Sequence, residues 1–395
     1  MRFQGLTIGV PKEIMDGERR VAAVPETVTK MVAEGARVLV ECGAGEGIGV
    51  ADSGYEQAGA EMVHDVEGLY AGARLVLKVK EPLFNASHGK HEVEMMGAGQ
   101  FLIAFLHPAS PANHPMVRLL AERNVTAFTL DGVPRISRAQ SMDALTSMST
   151  VAGYKAVLMA ADRLPKFMPM VGTAVGTVRP ARVLAVGIGV AGLQALATAK
   201  KLGAVVDAAD IRPEACEHAK SLGAKVVDLG IPPELAEGKG GYARHLPKEW
   251  LLKEQAALAG PVASADVLIL AALVPGKVAP VLVTESMAAA MAPGSVIVDV
   301  AIDQGGNCAV TEPGRCIEWH GLTIEGIKNI PGMVPLTATW LFSHNIFSFV
   351  SYLVEEGVVR VARSDEIIAS SLVTEGGRIV HEGALEAMSA NAAAG

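Results

Sequence analysis

Four polar side chains stand where apolar, strand-like runs give out. Arg20 lies in Gly17-Glu18-Arg19-Arg20-Val21-Ala22, just beyond the run at 6–10. Lys80 follows the run at 75–79, and His107 follows 101–106 and precedes Pro108. Asp303 follows 296–302 and precedes Gln304-Gly305-Gly306. Ligands of open α/β sheets sit beyond the carboxyl ends of the strands. Two cations, an imidazole and a carboxylate in such places suit the oxidation of a 2-amino acid. Arg20 and Lys80 would hold the substrate carboxylate and polarise the developing carbonyl. His107 would move protons to or from an attacking water, because imidazole titrates near neutral pH. Asp303 would stabilise a transient iminium charge. Singly, each has a plainer reading. Lys80 could pair with Glu81, Arg20 with Glu13 or Asp16, His107 could be a satisfied core histidine, and Asp303 could cap a turn. The joint reading is the stronger one.

An oxidation needs an electron acceptor, and the chain carries a place for one. The apolar run 183–186 leads directly into Gly187-Ile188-Gly189-Val190-Ala191-Gly192, a G-x-G-x-x-G turn that opens a helical pattern. A second apolar run ends in Asp210, 18 residues after Gly192. Gly187 permits the tight turn, Gly189 lets a pyrophosphate approach the backbone, and Gly192 lets helix and strand lie close. The helix N-terminus presents free N–H groups to phosphate. Asp210 would accept hydrogen bonds from the adenosine ribose, which favours NAD over NADP; Ile211 follows it in the same subsite. The nearby Arg212 is the one group that could accommodate a 2′-phosphate.

Composition fits such an enzyme. A chain of 395 residues, half of them hydrophobic, exceeds what one core usually fills and points to two domains. The net charge of −8 argues against nucleic-acid binding. No apolar run approaches the roughly 18 residues that span a bilayer, and Met1 leads almost at once into a strand pattern rather than a signal peptide. Cys42, Cys216, Cys308 and Cys316 lack metal-ligand spacing. They suit a reducing cytoplasm, and no metal site is expected.

These features imply an α/β protein of two doubly wound, Rossmann-like domains with a cleft between them, linked by two long helices. Strand-like segments at 6–10, 37–41, 74–79, 101–106 and 127–130 alternate with helical ones, as in a helix-covered parallel sheet. A long helix at 143–162 carries the chain into a second series of strands at 183–186, 205–209, 225–227, 267–271, 296–300 and 322–325. A second long helix, at 336–355, returns to the first domain. The expected domains are 1–142 with 332–395, and 143–331 for the nucleotide. The Ala-rich tail from Ala384 is expected to fray. The Gly-rich segment 230–244 is expected to be mobile.

The chain resembles the alanine dehydrogenase/nicotinamide nucleotide transhydrogenase α-subunit family over about 380 residues. The G-x-G-x-x-G unit, Val274-Pro275-Gly276-Lys277-x-Ala279-Pro280 and Asn329-Ile330-Pro331 are common to both branches. Pro134-Arg135-Ile136-Ser137-Arg138-Ala139-Gln140-Ser141-Met142-Asp143 is similar to the signature loop of the transhydrogenase branch. That likeness implies that Arg135, Gln140 and Asp143 sit at the nicotinamide. Gly240-Gly241-Tyr242-Ala243-Arg244 resembles that branch's mobile loop, which implies that Tyr242 closes over the nucleotide. Lys80, His107, Asp303 and Met148-Ser149 instead resemble alanine dehydrogenase, and Arg20 is shared. By resemblance, Val190, Ser149, Val274, Pro275 and Asn329 join the cofactor contacts. Thr150 departs from both patterns, and the Arg135 loop departs from ordinary alanine dehydrogenases, so the amino acid is left open.

Two functions lead, and an NAD-sensing or scaffold protein is a third, weaker reading. One is an NAD-dependent dehydrogenase of a small L-2-amino acid, cytoplasmic and a homo-oligomer, dimer or hexamer. The other is the soluble NAD(H)-binding portion of the α-subunit of a proton-translocating NAD(P) transhydrogenase, docking on membrane subunits and passing hydride to NADP on a partner. If the Tyr242 segment closes over nucleotide, NADH should protect residues 238–244 from limited proteolysis. Equal cutting rates with and without NADH would remove the closing loop.

Overall fold

The structure, a computed structural model, describes residues 1–236, 238, 243–273 and 278–394. The chain forms two compact α/β units, Met1–Met148 with Gly332–Gly395, and Ser149–Pro331.

The second unit is built on a seven-stranded sheet. Its spatial order is Lys225–Val226, Val205–Ala209, Arg182–Val186, Val267–Leu270, Val296–Asp299, Leu322–Glu325, Cys316–Trp319. All neighbours are parallel except the last pair. The near-continuous apolar runs are explained by what each face meets. Val183 and Ala185 enter one core with Ala156, Ala195, Leu196 and Ala199. Leu184 and Val186 enter another with Leu258, Val262 and Met287. Side chains alternate along a strand, so the strands of a sheet covered on both faces are apolar along most of their length.

The first unit carries an eight-stranded sheet. Its order is Arg378–Ile379, Leu372–Glu375, Thr126–Thr129, Phe101–Ala104, Leu75–Leu77, Thr7–Val10, Arg37–Glu41, Glu61–Val63. The strands from Thr126–Thr129 to Glu61–Val63 are parallel. The two from the C-terminal segment are antiparallel additions that cover that edge.

Three expectations need correction. The third strand stops at Leu77, not Val79, and the next residue is the fully buried Lys78. The stretch before Asp303 is a strand only to Asp299; Asp303 lies in the single-turn helix Val300–Gln304. The Ala-rich tail is helical over Glu382–Ala394 rather than frayed. Alanine is the best helix former, Ala384 is fully buried, and His381 Nδ1 accepts the Ala384 N–H at 3.2 Å.

Close approach fixes the glycines of the nucleotide turn. Gly187 has φ +85°, and a Cβ there would lie 2.4 Å from the Ala272 amide nitrogen. A Cβ on Gly192 would lie 2.0 Å from the Gly187 carbonyl oxygen. Gly153, in the Ala144–Arg163 helix, meets the same helix start from another side; its Cβ would fall 2.1 Å from the Ala191 carbonyl oxygen. Gly153→Ala should therefore cost about 1–3 kcal/mol by overpacking. Gly260→Ala, at a helical glycine with open space around it, should gain about 0.5–1 kcal/mol. Urea denaturation of the two variants should move the midpoint in opposite directions.

Candidate functional site

The Arg182–Val186 strand ends at Gly187, and the helix Val190–Lys201 starts from Gly189. No side chain caps that start, so its first N–H groups are left for a ligand. The space in front of Gly189 is open, with nothing within 4 Å of the place a Cβ would take. Val190 is half-buried in the first turn. A pyrophosphate fits this cradle.

Asp210 follows the neighbouring strand and is 8% exposed. Its Oδ2 accepts the Ile188 N–H at 2.7 Å and Arg212 Nη2–H at 2.7 Å. Its Oδ1 accepts the Arg212 N–H at 2.8 Å and Arg212 Nε–H at 3.0 Å. A carboxylate offers about four acceptor sites. Asp210 thus commits its full capacity to the Gly-rich turn and to Arg212. Ile211, between them, packs on the core beneath.

In the same unit, Asn329 holds φ +55° and donates its backbone N–H to Asp303 Oδ2 at 3.4 Å. Asn307 is fully buried and braces the segment beyond the Val267–Leu270 strand at both ends. Its Oδ1 accepts the Ala272 N–H at 2.9 Å, and its Nδ2 donates to the Ala272 and Pro280 carbonyls, both at 2.8 Å. Asp299 Oδ2 in turn accepts the Asn307 N–H at 2.8 Å. Val274, Pro275 and Tyr242 lie outside the described residues. Ser149 is half-buried in the Ala144–Arg163 helix.

In the first unit, His107 follows the Phe101–Ala104 strand with φ +43°. A non-glycine residue persists there only when its surroundings over-determine it. The Ser110 N–H donates to the His107 carbonyl at 2.9 Å, and Asn113 Nδ2 donates to the Leu106 carbonyl at 3.0 Å. The imidazole stacks on Phe105, with ring planes 1° apart and centroids at 5.8 Å. His107 Nδ1 meets Asp131 Oδ2 at 3.2 Å, and Thr129 Oγ1 hydrogen-bonds the other Asp131 oxygen.

Burial pulls the His107 pKa down, and the Asp131 charge and hydrogen bond more than offset it, so the net shift is upward from 6.5. Lys80 opposes that rise and Glu81 adds to it, so both lie close to the ring. Burial also opposes ionisation of Asp131, but His107 and Thr129 hold its carboxyl down at about 2. Among the described residues, no ion-pair partner meets the Lys80 ammonium.

Arg20 is placed differently from expectation. It pairs with neither Glu13 nor Asp16. Its Nε and Nη2 both donate to Glu18, at 2.8 and 2.6 Å, and Nη1 meets Met148 Sδ at 3.0 Å. Arg20 is 3% exposed. Arg135 and Gln140 are exposed, and the Asp143 carboxylate starts the long helix by accepting Thr146 N–H at 2.8 Å and Oγ1–H at 2.6 Å. The structure thus brings Lys80 and His107 together, commits Arg20 to Glu18, and puts Asp303 with Asn329 in the other unit.

Beneath Lys80 lies a buried ionic cluster. Lys78 Nζ lies 3.2 Å from Glu13 Oε2 and 2.9 Å from Glu92 Oε1. Tyr70 Oη donates to Glu92 at 2.7 Å. Glu13 also accepts the Val79 N–H at 2.6 Å, and Glu92 accepts the Leu83 N–H at 2.8 Å. The backbone carrying Lys80 is therefore clamped on both sides.

Residues 156–382 match the model described as "Alanine dehydrogenase/PNT, C-terminal domain", and residues 9–152 match "Alanine dehydrogenase/PNT, N-terminal domain". The chain belongs to the alanine dehydrogenase/PNT family. Both named branches of that family are near. The chain is 42% identical over 379 residues to the first part of NAD(P) transhydrogenase subunit alpha of Rhodospirillum rubrum, covering 95% of this chain and 98% of that one. It is 34% identical over 382 residues to alanine dehydrogenase of Bacillus subtilis, covering 95% and 93%. A solved transhydrogenase from Sinorhizobium meliloti superposes with a TM-score of 0.82 at 38% identity, covering 95% and 100%. Among the described residues, no helix is long and apolar enough to cross a membrane.

The alanine dehydrogenase/PNT frame carries residues that sequence reasoning missed. Asp131 stands just beyond the Thr126–Thr129 strand, and the strand-end rule that selected His107 would have found it. Asn307 gave no signal, because its partners are backbone groups 27 and 35 residues away. The His107–Asp131 pair has a directional pH effect. The raised His107 pKa contributes stability below about pH 6.5, and this is lost as pH rises through the shifted value. The lowered Asp131 pKa contributes stability above its ordinary 3.8, lost as pH falls toward 2. Asp131→Asn leaves only burial, Lys80 and Glu81 acting on the ring, so the His107 pKa should drop below its wild-type value in a histidine NMR titration.

Proposed function

We propose that the chain is an NAD(H)-dependent amino-acid dehydrogenase, interconverting a small L-2-amino acid and water with the 2-oxo acid and ammonium. The observation that supports it best is the Asp131-buttressed His107 beside Lys80, whose ammonium meets no ion-pair partner among the described residues. Hydride passage between two nucleotides needs neither a proton-transfer base nor a carboxylate-binding cation.

Bound NAD supplies the two-electron acceptor for the substrate's C2–H bond; the chain's residues do the rest. The turn at Gly187, Gly189, Val190 and Gly192 holds the pyrophosphate. Asp210 and Ile211 shape the adenosine end. Arg135, Gln140 and Asp143 serve the nicotinamide end, Tyr242 closes over the nucleotide, and Ser149, Val274, Pro275 and Asn329 are further cofactor contacts. Lys80 binds the substrate carboxylate. Arg20, its charge balanced by Glu18, supports that carboxylate as a donor rather than as a free cation. Asp131 holds Nδ1 of His107, leaving Nε2 to take a proton from the attacking water and return it. Asp303 opposes the positive charge that develops at C2. The protein works in the cytoplasm as a homo-oligomer, dimer or hexamer.

A second reading rests on one observation, the higher identity to a transhydrogenase α-subunit segment at almost full length. There the chain would carry NAD(H) and pass hydride to NADP on a partner docked at membrane subunits.

NADH oxidation with ammonium and a panel of small 2-oxo acids separates the two. The dehydrogenase should turn over alone. His107→Ala and Asp303→Asn should each lower kcat by about 10²–10⁴. Lys80→Ala should chiefly raise the oxo-acid KM, because the carboxylate loses a charge-assisted hydrogen bond. NADH binding should survive all three changes. Silence with every oxo acid, and activity only when an NADP-binding partner is added, would transfer the assignment to the second reading.

A further inference from the structure

The glycine-rich turn is braced by a buried acid two strands away. Asp299 ends the Val296–Asp299 strand and is fully buried. Its Oδ2 accepts two successive amides, Asn307 N–H at 2.8 Å and Cys308 N–H at 3.1 Å. Gly306 lets the chain bend over the carboxylate. It holds φ +82°, and a Cβ there would lie 2.8 Å from Asp299 Oδ2. Asp299 Oδ1 is sealed from solvent and makes no hydrogen bond. Buried polar atoms are almost always partnered, so an empty carboxyl oxygen calls for an explanation.

The brace leads to the nucleotide turn. Asn307 takes both backbone groups of Ala272, accepting the N–H at 2.9 Å and donating to the carbonyl at 2.8 Å. Ala272 is in turn packed on the first glycine of the turn. A Cβ on Gly187 would fall 2.4 Å from the Ala272 amide nitrogen and 2.5 Å from its Cα. Asp299, Asn307, Ala272 and Gly187 thus form one line of contacts from a buried carboxyl to the pyrophosphate cradle. A close-packed interior transmits a shift along such a line.

We propose that Asp299 and Asn307 are positioning residues of the dinucleotide turn, and that NAD(H) binds best when Asp299 is ionised. The proposal rests on the NAD(H) reading of the Gly187 turn, and on neither of the two overall functions. A charged oxygen accepts a hydrogen bond roughly twice as strongly as a neutral one. A proton taken up at the empty Oδ1 leaves Oδ2 a neutral acceptor. Its hold on the Asn307 and Cys308 amides slackens, and Ala272 is held less firmly against Gly187. Burial pushes the Asp299 pKa up to about 6, against the pull of the Cys308 and Asn307 amides, the Thr311 hydroxyl and the Ala301 N–H. Nucleotide binding must by reciprocity favour the ionised acid and release a proton. The surrounding groups are otherwise engaged. Burial raises the Cys308 thiol above its ordinary 9.0. Glu325, on the adjoining strand, is paired with Arg163, and Glu312 with Arg315. Asp303 accepts the Asn329 N–H. Glu254, raised to about 7 by burial and the Asp210 charge, titrates in the same range, so the test is a difference between two proteins.

Asp299→Asn imitates the protonated acid. Its amide oxygen accepts the two N–H groups, and its NH2 replaces the empty oxygen. Fluorescence titration of the whole chain with NADH at pH 5, 6, 7 and 8 compares it with wild type. At pH 8 the variant should bind about fivefold more weakly, the loss expected when a charged acceptor becomes neutral. At pH 5 the two affinities should converge. Glu254 and the other groups cancel in that comparison. Calorimetry of NADH binding at pH 6, in two buffers of different ionisation enthalpy, should show the wild type releasing a fraction of a proton and the variant releasing less. Release by the wild type is read without any variant. Equal affinities throughout would overturn the proposal. A deficit of the same size at every pH would also overturn it, because it marks a purely structural part for Asp299. A wild type that releases no proton would do the same. A wild type that binds no NADH at any pH would overturn the NAD(H) reading itself.

Discussion

A parallel sheet buried on both faces leaves polar chemistry little room except beyond its strand ends. Along Arg182–Val186 and Val267–Leu270 every inner position is filled by an apolar side chain, and the buried Asp207 of the neighbouring strand is paired with Arg182. The turns that follow at Gly187, Asp210 and Asn307 are where polar groups first become affordable. The first unit obeys the same limit, and Lys80, His107 and Asp131 all emerge just past the last hydrogen-bonded residue of a strand. The site is thus a by-product of how the sheets are covered.

That constraint is why much was legible in the sequence. A run such as Val183–Val186 with no polar break announces a strand buried on both faces, and Gly187, Gly189 and Gly192 mark how it turns into a helix. The two α/β units follow from repeating that pattern. What escaped depended on contacts remote in the chain. The strand Leu372–Glu375 pairs antiparallel with Thr126–Thr129 across more than 240 residues. Lys78 sits in an otherwise apolar run and was absorbed into it, because the carboxylates that let it be buried come from distant segments. Glu254 looks like any polar residue of an amphipathic helix until its neighbour Asp210 is known.

Two acids show how much a residue's type leaves open. Asp210 occupies the position from which an acid reaches the ribose, yet its oxygens are filled by Ile188, Arg212 and the turn they hold. Asp131 reaches no ligand on its own account, yet it fixes which imidazole nitrogen of His107 is left over. The backbone strain at His107, with φ +43°, is held by Asn113, Ser110 and Phe105. The ring direction is thereby set before any substrate arrives, which is what proton transfer at a defined atom requires.

The cluster of Lys78, Glu13 and Glu92 has a thermodynamic side. It buries two carboxyls with one ammonium, and burial raises the Glu13 pKa above 4.5 despite the attraction of Lys78. Between the ordinary Glu13 value and its raised folded value, closing this core therefore takes up a proton from solvent. Folding of the first unit is in that sense a proton-uptake reaction, opposed as pH rises above the unfolded Glu13 value and until its folded value is passed. Lys78, with its own pKa raised by the two carboxylates, holds its charge throughout that range. The acid–base balance of a core that touches no ligand thus sets the conditions under which Lys80 is presented at all.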